Sequence, residues 1–371
     1  MKKQSPLYGV KPQVLKVPTY TLKAYEAEVK LNQNENPFDF PEDLKEETFR
    51  RYKQREWSRY PDFVPDSLRQ RLADFVGWDK DGILVGNGSN ELLQATLMVL
   101  IRSGTRVAIP YPTFTVYSLI STVLGARVVG IPLNPDMSYN VEELISRSKQ
   151  TGARVLVINT PNNPTGSVLP AEGLQMILEE FSGHVLLDEA YYEFYGRSAF
   201  EFLRSYPRLV ITRTFSKAMG MAGLRVGYLL AHPDLAAQIS KAKLPYNVNQ
   251  FSLTAAEVAL ENIERFRPAI EAVLREKERL GCELASLPGF KVYPSEANFF
   301  LVECPMSPRV LFDDLHRQGI LVRDVSSYPM LSKCLRISVG KREENDRLLS
   351  ALRAAVAAYC APGTQSDQEC L

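Results

Sequence analysis

The sequence is poor in the residues that metal and triad chemistry draw on. Only three histidines, His184, His232 and His316, occur in 371 residues, which leaves little material for a histidine-rich metal site or a Ser-His-Asp triad. The five cysteines, Cys282, Cys304, Cys334, Cys360 and Cys370, are odd in number and confined to the last third of the chain. No two of them have the close spacing of a metal-ligand pair, so free thiols in a reducing compartment are expected. Charge of one sign is also missing: 44 basic residues nearly cancel 43 acidic ones, which argues against nucleic acid or an anionic membrane as a partner. No segment approaches the ~20 apolar residues of a membrane span. The start, MKKQSPLYGVKPQ, lacks the apolar stretch of ~7 to 15 residues that a signal peptide needs. A cytoplasmic protein is expected.

What is present is the composition of a folded globular chain, 45% hydrophobic and 23% charged, with a length that asks for two or three domains. From Ile83 to Leu230 short apolar runs end in polar turns and give way to amphipathic stretches, an α/β rhythm. The runs RVAIP, RVLVINT, HVLLDEA and LVITRTFS are apolar on both sides, as in strands covered by helices on both faces. The predicted fold class is therefore α/β: a large domain with a mostly parallel sheet flanked by helices, plus a smaller α+β domain carrying the strands FFLVEC and LRISVG. A long helical pattern from Phe251 to Leu287 is expected to join the two. The expected division is an N-terminal arm with part of the small domain at 1–44, the large domain at 45–265, the small domain at 266–360 and a disordered tail at 361–371. The Pro-containing LYGVKPQVLKVPTY reads as an extended arm.

Four strand ends carry reactive or anion-binding groups: GNGSNE (Gly86 to Glu91), NNPTG (Asn162 to Gly166), DEAY (Asp188 to Tyr191), and the pair Ser216 and Lys217. Each alone has a plainer reading, as a helix cap, an Asn-Pro turn, exposed carboxylates or a solvated lysine. Together they place an anion cradle around Ser89 and Asn90, an amide, a carboxylate beside a phenol, and an amine at the carboxyl edge of one sheet, where open α/β proteins bind ligands. A pyridoxal-phosphate site needs that set, because its ring nitrogen, ring hydroxyl and phosphate must each be held and an amine supplied.

Asn163, Asp188, Lys217 in FSKAMGMAGLRVG and Arg225 eight residues later resemble the pyridoxal-phosphate motifs of enzymes with the aspartate-aminotransferase fold. Within that fold, LNQNENPF, TPNNPTG, LPYNVN and CLRISVG are similar to the histidinol-phosphate aminotransferase family, and the resemblance runs from Val17 to Arg353. It implies pyridoxal 5'-phosphate as cofactor, with Lys217 forming the Schiff base and then acting as general base and acid. By the same resemblance Asp188 pairs with the ring nitrogen, Tyr191 and Asn163 bond the ring hydroxyl, and Ser89, Asn90, Ser216 and Arg225 hold the phosphate. Phe114, in YPTFTVY, would stack on the ring. Tyr60, in SRYPD, resembles a tyrosine sent across a dimer interface to the partner's cofactor, which implies a homodimer. Cationic surroundings that include Arg225 are expected to lower the basicity of Lys217.

The substrate reading rests on Arg336, in CLRISVG, and Arg323, in ILVRDV. The first matches the arginine that forks onto a substrate carboxylate, and the second suits the extra charge of a phosphate ester. Tyr20 and Asn36 would line the side-chain pocket. The resemblance implies transfer of an amino group between L-histidinol phosphate and 2-oxoglutarate. A broad aromatic aminotransferase and a threonine-phosphate-type decarboxylase stay open beside it. A pyridoxal-binding regulator of transcription is disfavoured by the lack of a basic helix-turn-helix extension.

Overall fold

The computed structural model describes residues 5–17 and 25–359. Tyr20 and the expected tail at 361–371 lie outside the described residues. After a short strand β1 (Val29–Lys30), the chain lays down seven strands of one sheet: β2 (Ile83–Asn87), β3 (Arg106–Tyr111), β4 (Arg127–Pro132), β5 (Val155–Asn159), β6 (His184–Asp188), β7 (Leu209–Thr214) and β8 (Val226–Leu230). Their order across the sheet is β2-β8-β7-β6-β5-β3-β4.

The alternation of side chains along these strands separates two cores. Leu156, Ile158, Val185, Leu187, Leu209 and Ile211 pack on one face, whereas Val155, Val157, Leu186 and Val210 pack on the other. Successive residues in a strand point to opposite faces, so a run that is apolar throughout needs helices on both sides, and it has them.

Strand β8 is antiparallel to both of its neighbours, while the strands from β7 across to β4 all pair in parallel. Strand β2, antiparallel to β8, therefore points the same way as β7. The reversal has a chemical consequence. The carboxyl ends of the other six strands share an edge with the amino end of β8, so Arg225, the residue before Val226, arrives at the same edge as Asp188 and Ser216.

The remaining strands are β9 (Lys291–Val292), β10 (Phe299–Glu303), β11 (Ile320–Leu321), β12 (Arg323–Asp324) and β13 (Cys334–Ser338). Four of them form an antiparallel sheet in the order β12-β13-β10-β9, and β11 pairs with β1. Their core gathers Phe299, Leu315, Leu335 and Leu348 together with Val29 and Leu31 from the other end of the chain, and with Tyr191 and Ala218 from the edge of the large sheet.

Two expectations are corrected. The long helix from Phe251 to Leu287 is two helices, Gln250–Glu261 and Arg267–Ala285, separated by a tight turn at Ile263–Phe266. Pro268 explains the break: it has no N–H to give and would clash inside a continuous helix, yet it fits the first turn of a new one. The N-terminal arm is not extended throughout, since Pro12–Lys16 forms a short helix with proline in its first turn.

Candidate active site

At the shared strand edge lies a cleft of about 550 Å³ lined from both sheets. Asp188 is the last residue of β6, and Asn159 that of β5. The Asn159 amide donates to the Asp188 carbonyl at 2.9 Å and its oxygen accepts the Asn163 N–H at 2.8 Å, so it holds the NNPTG turn over the strand ends. The next turn, after β7, carries Ser216 and Lys217.

One side of the cleft is an anion cradle. Strand β2 ends at Asn87, Gly88 takes φ 75° and the helix Ser89–Leu100 begins at once. A Cβ on Gly88 would sit 2.3 Å from Arg225 Nη2, and one on Gly227 would sit 2.4 Å from the Ser89 nitrogen. Glycine at both positions lets a helix N-terminus and a guanidinium close on the same point. Arg225 Nη1 also donates to Ser216 Oγ at 3.1 Å. Backbone N–H groups, the helix dipole and a guanidinium together favour a phosphate.

The opposite wall comes from the small sheet. In the β12–β13 register Arg323 stands opposite Arg336, so the two side chains leave one face of the sheet together. Arg336 donates to Asn163 Oδ1 at 2.6 Å and to the Asn32 carbonyl at 2.5 Å. Asp324, a candidate partner for Arg323, accepts instead from Ser326 N–H and Oγ at 2.9 and 2.6 Å.

Between the walls sit the titrating groups. Burial raises the Asp188 carboxyl to about 6, against the pull of a hydrogen bond from Tyr117. Loss of hydration lowers the Lys217 amine to about 7, followed by the charges of Arg336 and Arg225, with Glu35 opposing. The cationic surroundings expected to lower the basicity of Lys217 include Arg225 and, more strongly, Arg336, and burial adds the largest share. Lys217 Nζ donates to the Gln33 carbonyl at 2.9 Å.

Of the residues singled out from sequence, Ser89, Asn90, Phe114, Asn163, Asp188, Tyr191, Ser216, Lys217, Arg225, Arg323 and Arg336 all line this cleft. Tyr60 does not; it is 80% exposed and stacks on Tyr246 at 4.5 Å. Asn36 is also set aside from it. Its amide is committed to the Ala218 carbonyl and its oxygen to the Phe38 N–H, at 2.8 and 3.0 Å, and it lines a neighbouring cavity of about 370 Å³.

Sequence reasoning missed Tyr117, which donates to Asp188 Oδ2 at 2.7 Å, and Asn32, Asn34, Glu35 and Tyr328, which also line the cleft. The signal for Tyr117 was its position three residues after Phe114, on the face that a helix start presents. For Asn32, Asn34 and Glu35 it was the density of polar residues in LNQNENPF; Tyr328 carried no such signal.

Residues 26–352 match the family described as aminotransferase class I and II. The histidinol-phosphate aminotransferase of Chlorobaculum tepidum is 38% identical over 344 residues, 92% of this chain and 99% of that protein. Among solved structures, the histidinol-phosphate aminotransferase of Sinorhizobium meliloti in complex with pyridoxal-5'-phosphate is similar at TM-score 0.86 and 26% identity, covering 95% of this chain and 98% of that one. The aspartate aminotransferase of Thermotoga maritima, at TM-score 0.77 and 22% identity, covers 89% of this chain and 92% of its own, a likeness of fold alone. The architecture is thus the aspartate-aminotransferase fold, and the chain belongs to the class I and II aminotransferases, within the histidinol-phosphate aminotransferase family.

Proposed function

We propose that this chain transfers the amino group of L-histidinol phosphate to 2-oxoglutarate, using pyridoxal 5'-phosphate. The observation that carries the substrate reading is the pairing of Arg323 with Arg336 in register on one face of a sheet, in the cleft that also holds Lys217. Like charges directly opposite each other destabilise a sheet, and a phosphate dianion between them would offset that cost. A monoanionic carboxylate needs only one such guanidinium.

The cleft suits the cofactor by the chemistry of its donors: a buried carboxylate, a phenol and an amide, an amine of lowered basicity, and a cradle that a Cβ on Gly88 would fill. When bound, pyridoxal phosphate supplies an electron sink. Asp188 would face the ring nitrogen and keep it protonated, Asn163 and Tyr191 would bond the ring hydroxyl, and Phe114 would cover the ring. Ser89, Asn90, Ser216 and Arg225 would hold the phosphate. Lys217 would anchor the cofactor covalently. Its Nζ, lowered to about 7 and so partly neutral near neutral pH, would take the proton from the amino-bearing substrate carbon and return it.

We read the protein as a cytoplasmic homodimer with the large and small domains divided near residue 265. Trp57, Tyr60 and Phe63 form an exposed aromatic surface of the kind a second copy covers, from which Tyr60 would reach the other protomer's cofactor phosphate. Cys282, Cys304 and Cys334 are free, and among the described residues no helix is long and apolar enough to cross a membrane.

The test is incubation of the purified protein with L-histidinol phosphate and 2-oxoglutarate. Glutamate is the expected product. Release of carbon dioxide instead would replace the reading with a phosphate-recognising decarboxylase, and equal efficiency on aromatic amino acids would replace it with the broad aminotransferase.

A further inference from the structure

The motif LNQNENPF supplies a residue that the reaction as described does not use. Asn34 is 1% exposed and takes φ 53°, a left-handed conformation that asparagine tolerates better than most side chains. Its backbone is held on both sides: its N–H donates to Ser338 Oγ at 2.9 Å, and its carbonyl accepts from Asn298 Nδ2 at 3.2 Å. The side chain is therefore not needed to fix the turn. Ser338 Oγ donates to Asn34 Oδ1 at 2.9 Å, which turns the amide so that Nδ2 donates to the Tyr191 phenol oxygen at 3.0 Å.

We propose that Asn34 is a positioning residue for Tyr191, setting the phenol from the small-domain strand β13 so that its hydrogen points at the cofactor's ring oxygen. A phenol has one hydrogen to donate. With Asn34 donating to its oxygen, that hydrogen goes to another acceptor, and Tyr191 lines the cleft. Both Tyr191 and Ser338 are buried, at 4% and 2% exposure, so water does not readily replace the amide. Ser338 lies two residues beyond Arg336 on β13, hence on the same face. The strand that carries the proposed anion-binding guanidinium thus also holds the residue that aims the phenol. This inference rests on the cofactor reading above.

The test compares Asn34→Gly, which tolerates the left-handed backbone, and Asn34→Asp, which can accept from Ser338 but not donate to the phenol, with Tyr191→Phe and the Asn34→Gly, Tyr191→Phe double variant. Two quantities are read. The first is the Cζ resonance of Tyr191 in cofactor-free protein labelled with 13C-tyrosine. The second is the pH midpoint of the visible absorbance of protein loaded with pyridoxal phosphate. A phenol donating to the ring oxygen draws on its negative charge and weakens its hold on the neighbouring protonated nitrogen, so a misaimed phenol raises the midpoint.

Both Asn34 variants should move the resonance and raise the midpoint by about half a pH unit or more, toward the value of Tyr191→Phe. In the Tyr191→Phe background Asn34→Gly should add nothing, because the two residues act as one unit. An unmoved resonance, or a midpoint shift that persists undiminished without the Tyr191 phenol, would overturn the proposal. Wild-type protein that takes up no cofactor would overturn the function reading instead, and the resonance of the cofactor-free protein would still decide whether Asn34 sets Tyr191.

Discussion

Tyr117 donates a 2.7 Å hydrogen bond to Asp188 Oδ2, with both residues buried at the end of the large sheet. Burial pushes both groups upward, and the carboxylate beside the Tyr117 phenol holds its ionisation well above the usual tyrosine range. The phenol therefore stays a donor. Its hydrogen bond stabilises the charged form of Asp188, against a desolvation that raises the carboxyl to about 6. Asp188 is thus held toward its ionised form partly by the Tyr117 phenol, which also lines the cleft.

Replacing Tyr117 by Phe removes that donor and keeps the ring. The Asp188 carboxyl should then titrate about one pH unit higher. A 13C carboxyl titration of the cofactor-free variant measures it, and an unmoved midpoint would deny the hydrogen bond its role. Asp188→Ala goes further: it should weaken transamination by ~3 kcal/mol or more of transition-state stabilisation while cofactor affinity falls much less. Activity and cofactor titration on the same variant separate the two effects.

Lys217→Ala should leave a folded protein without the visible band of bound cofactor and with nearly all transamination lost. The amine also leaves a mark on stability. Its folded-state value of about 7 lies below its ordinary 10.5. Between those values the unfolded chain binds a proton that the folded chain does not, so cofactor-free wild-type protein gains stability as pH rises through the window. Lys217→Met lacks the gain. Thermal unfolding of both proteins from pH 7 to 10 checks the sign: the wild type should improve relative to the variant as the pH rises.

For Arg323→Ala the informative quantity is a ratio. Losing one charge-assisted contact in a partly buried site should cost on the order of 2 kcal/mol, or roughly thirtyfold in affinity for histidinol phosphate. An aromatic amino acid, held mainly through Arg336, should lose much less. Arg336→Ala should damage both substrates and glutamate as well. Comparing kcat/KM for the two amino donors removes any general loss of folding, and an unchanged ratio in Arg323→Ala would leave the broad aminotransferase as the better account.

Gly88→Ala tests the anion cradle without removing a charged group. The backbone at φ 75° is one that L side chains rarely adopt, and the new methyl would displace the Arg225 guanidinium. Stability should fall by about 1–3 kcal/mol, and the affinity of the cofactor-free protein for pyridoxal phosphate should fall at least about tenfold. Equilibrium titration with the cofactor, beside thermal unfolding, measures both.

By itself the sequence determined what local chemistry can determine. Continuous apolar runs such as VLVIN and HVLLD suit strands covered on two faces, and polar groups at the carboxyl ends of parallel strands reach the ligand-binding edge. Lys217, Asp188 and the GNGSNE turn were therefore candidates from their joint placement at strand ends, and their roles came from the resemblance to pyridoxal-phosphate motifs. Tertiary structure decided the partnerships. Nothing local says that β8 runs backwards and so returns Arg225 to the shared edge, or that Tyr117 reaches Asp188 across 71 residues. Nor does it say that Asn34 meets Ser338 across 304 residues. The balance that sets Lys217 near neutrality was beyond it too: desolvation depends on what closes over a group, and the second core, gathered from both ends of the chain, brings Arg336 and Glu35 toward that amine.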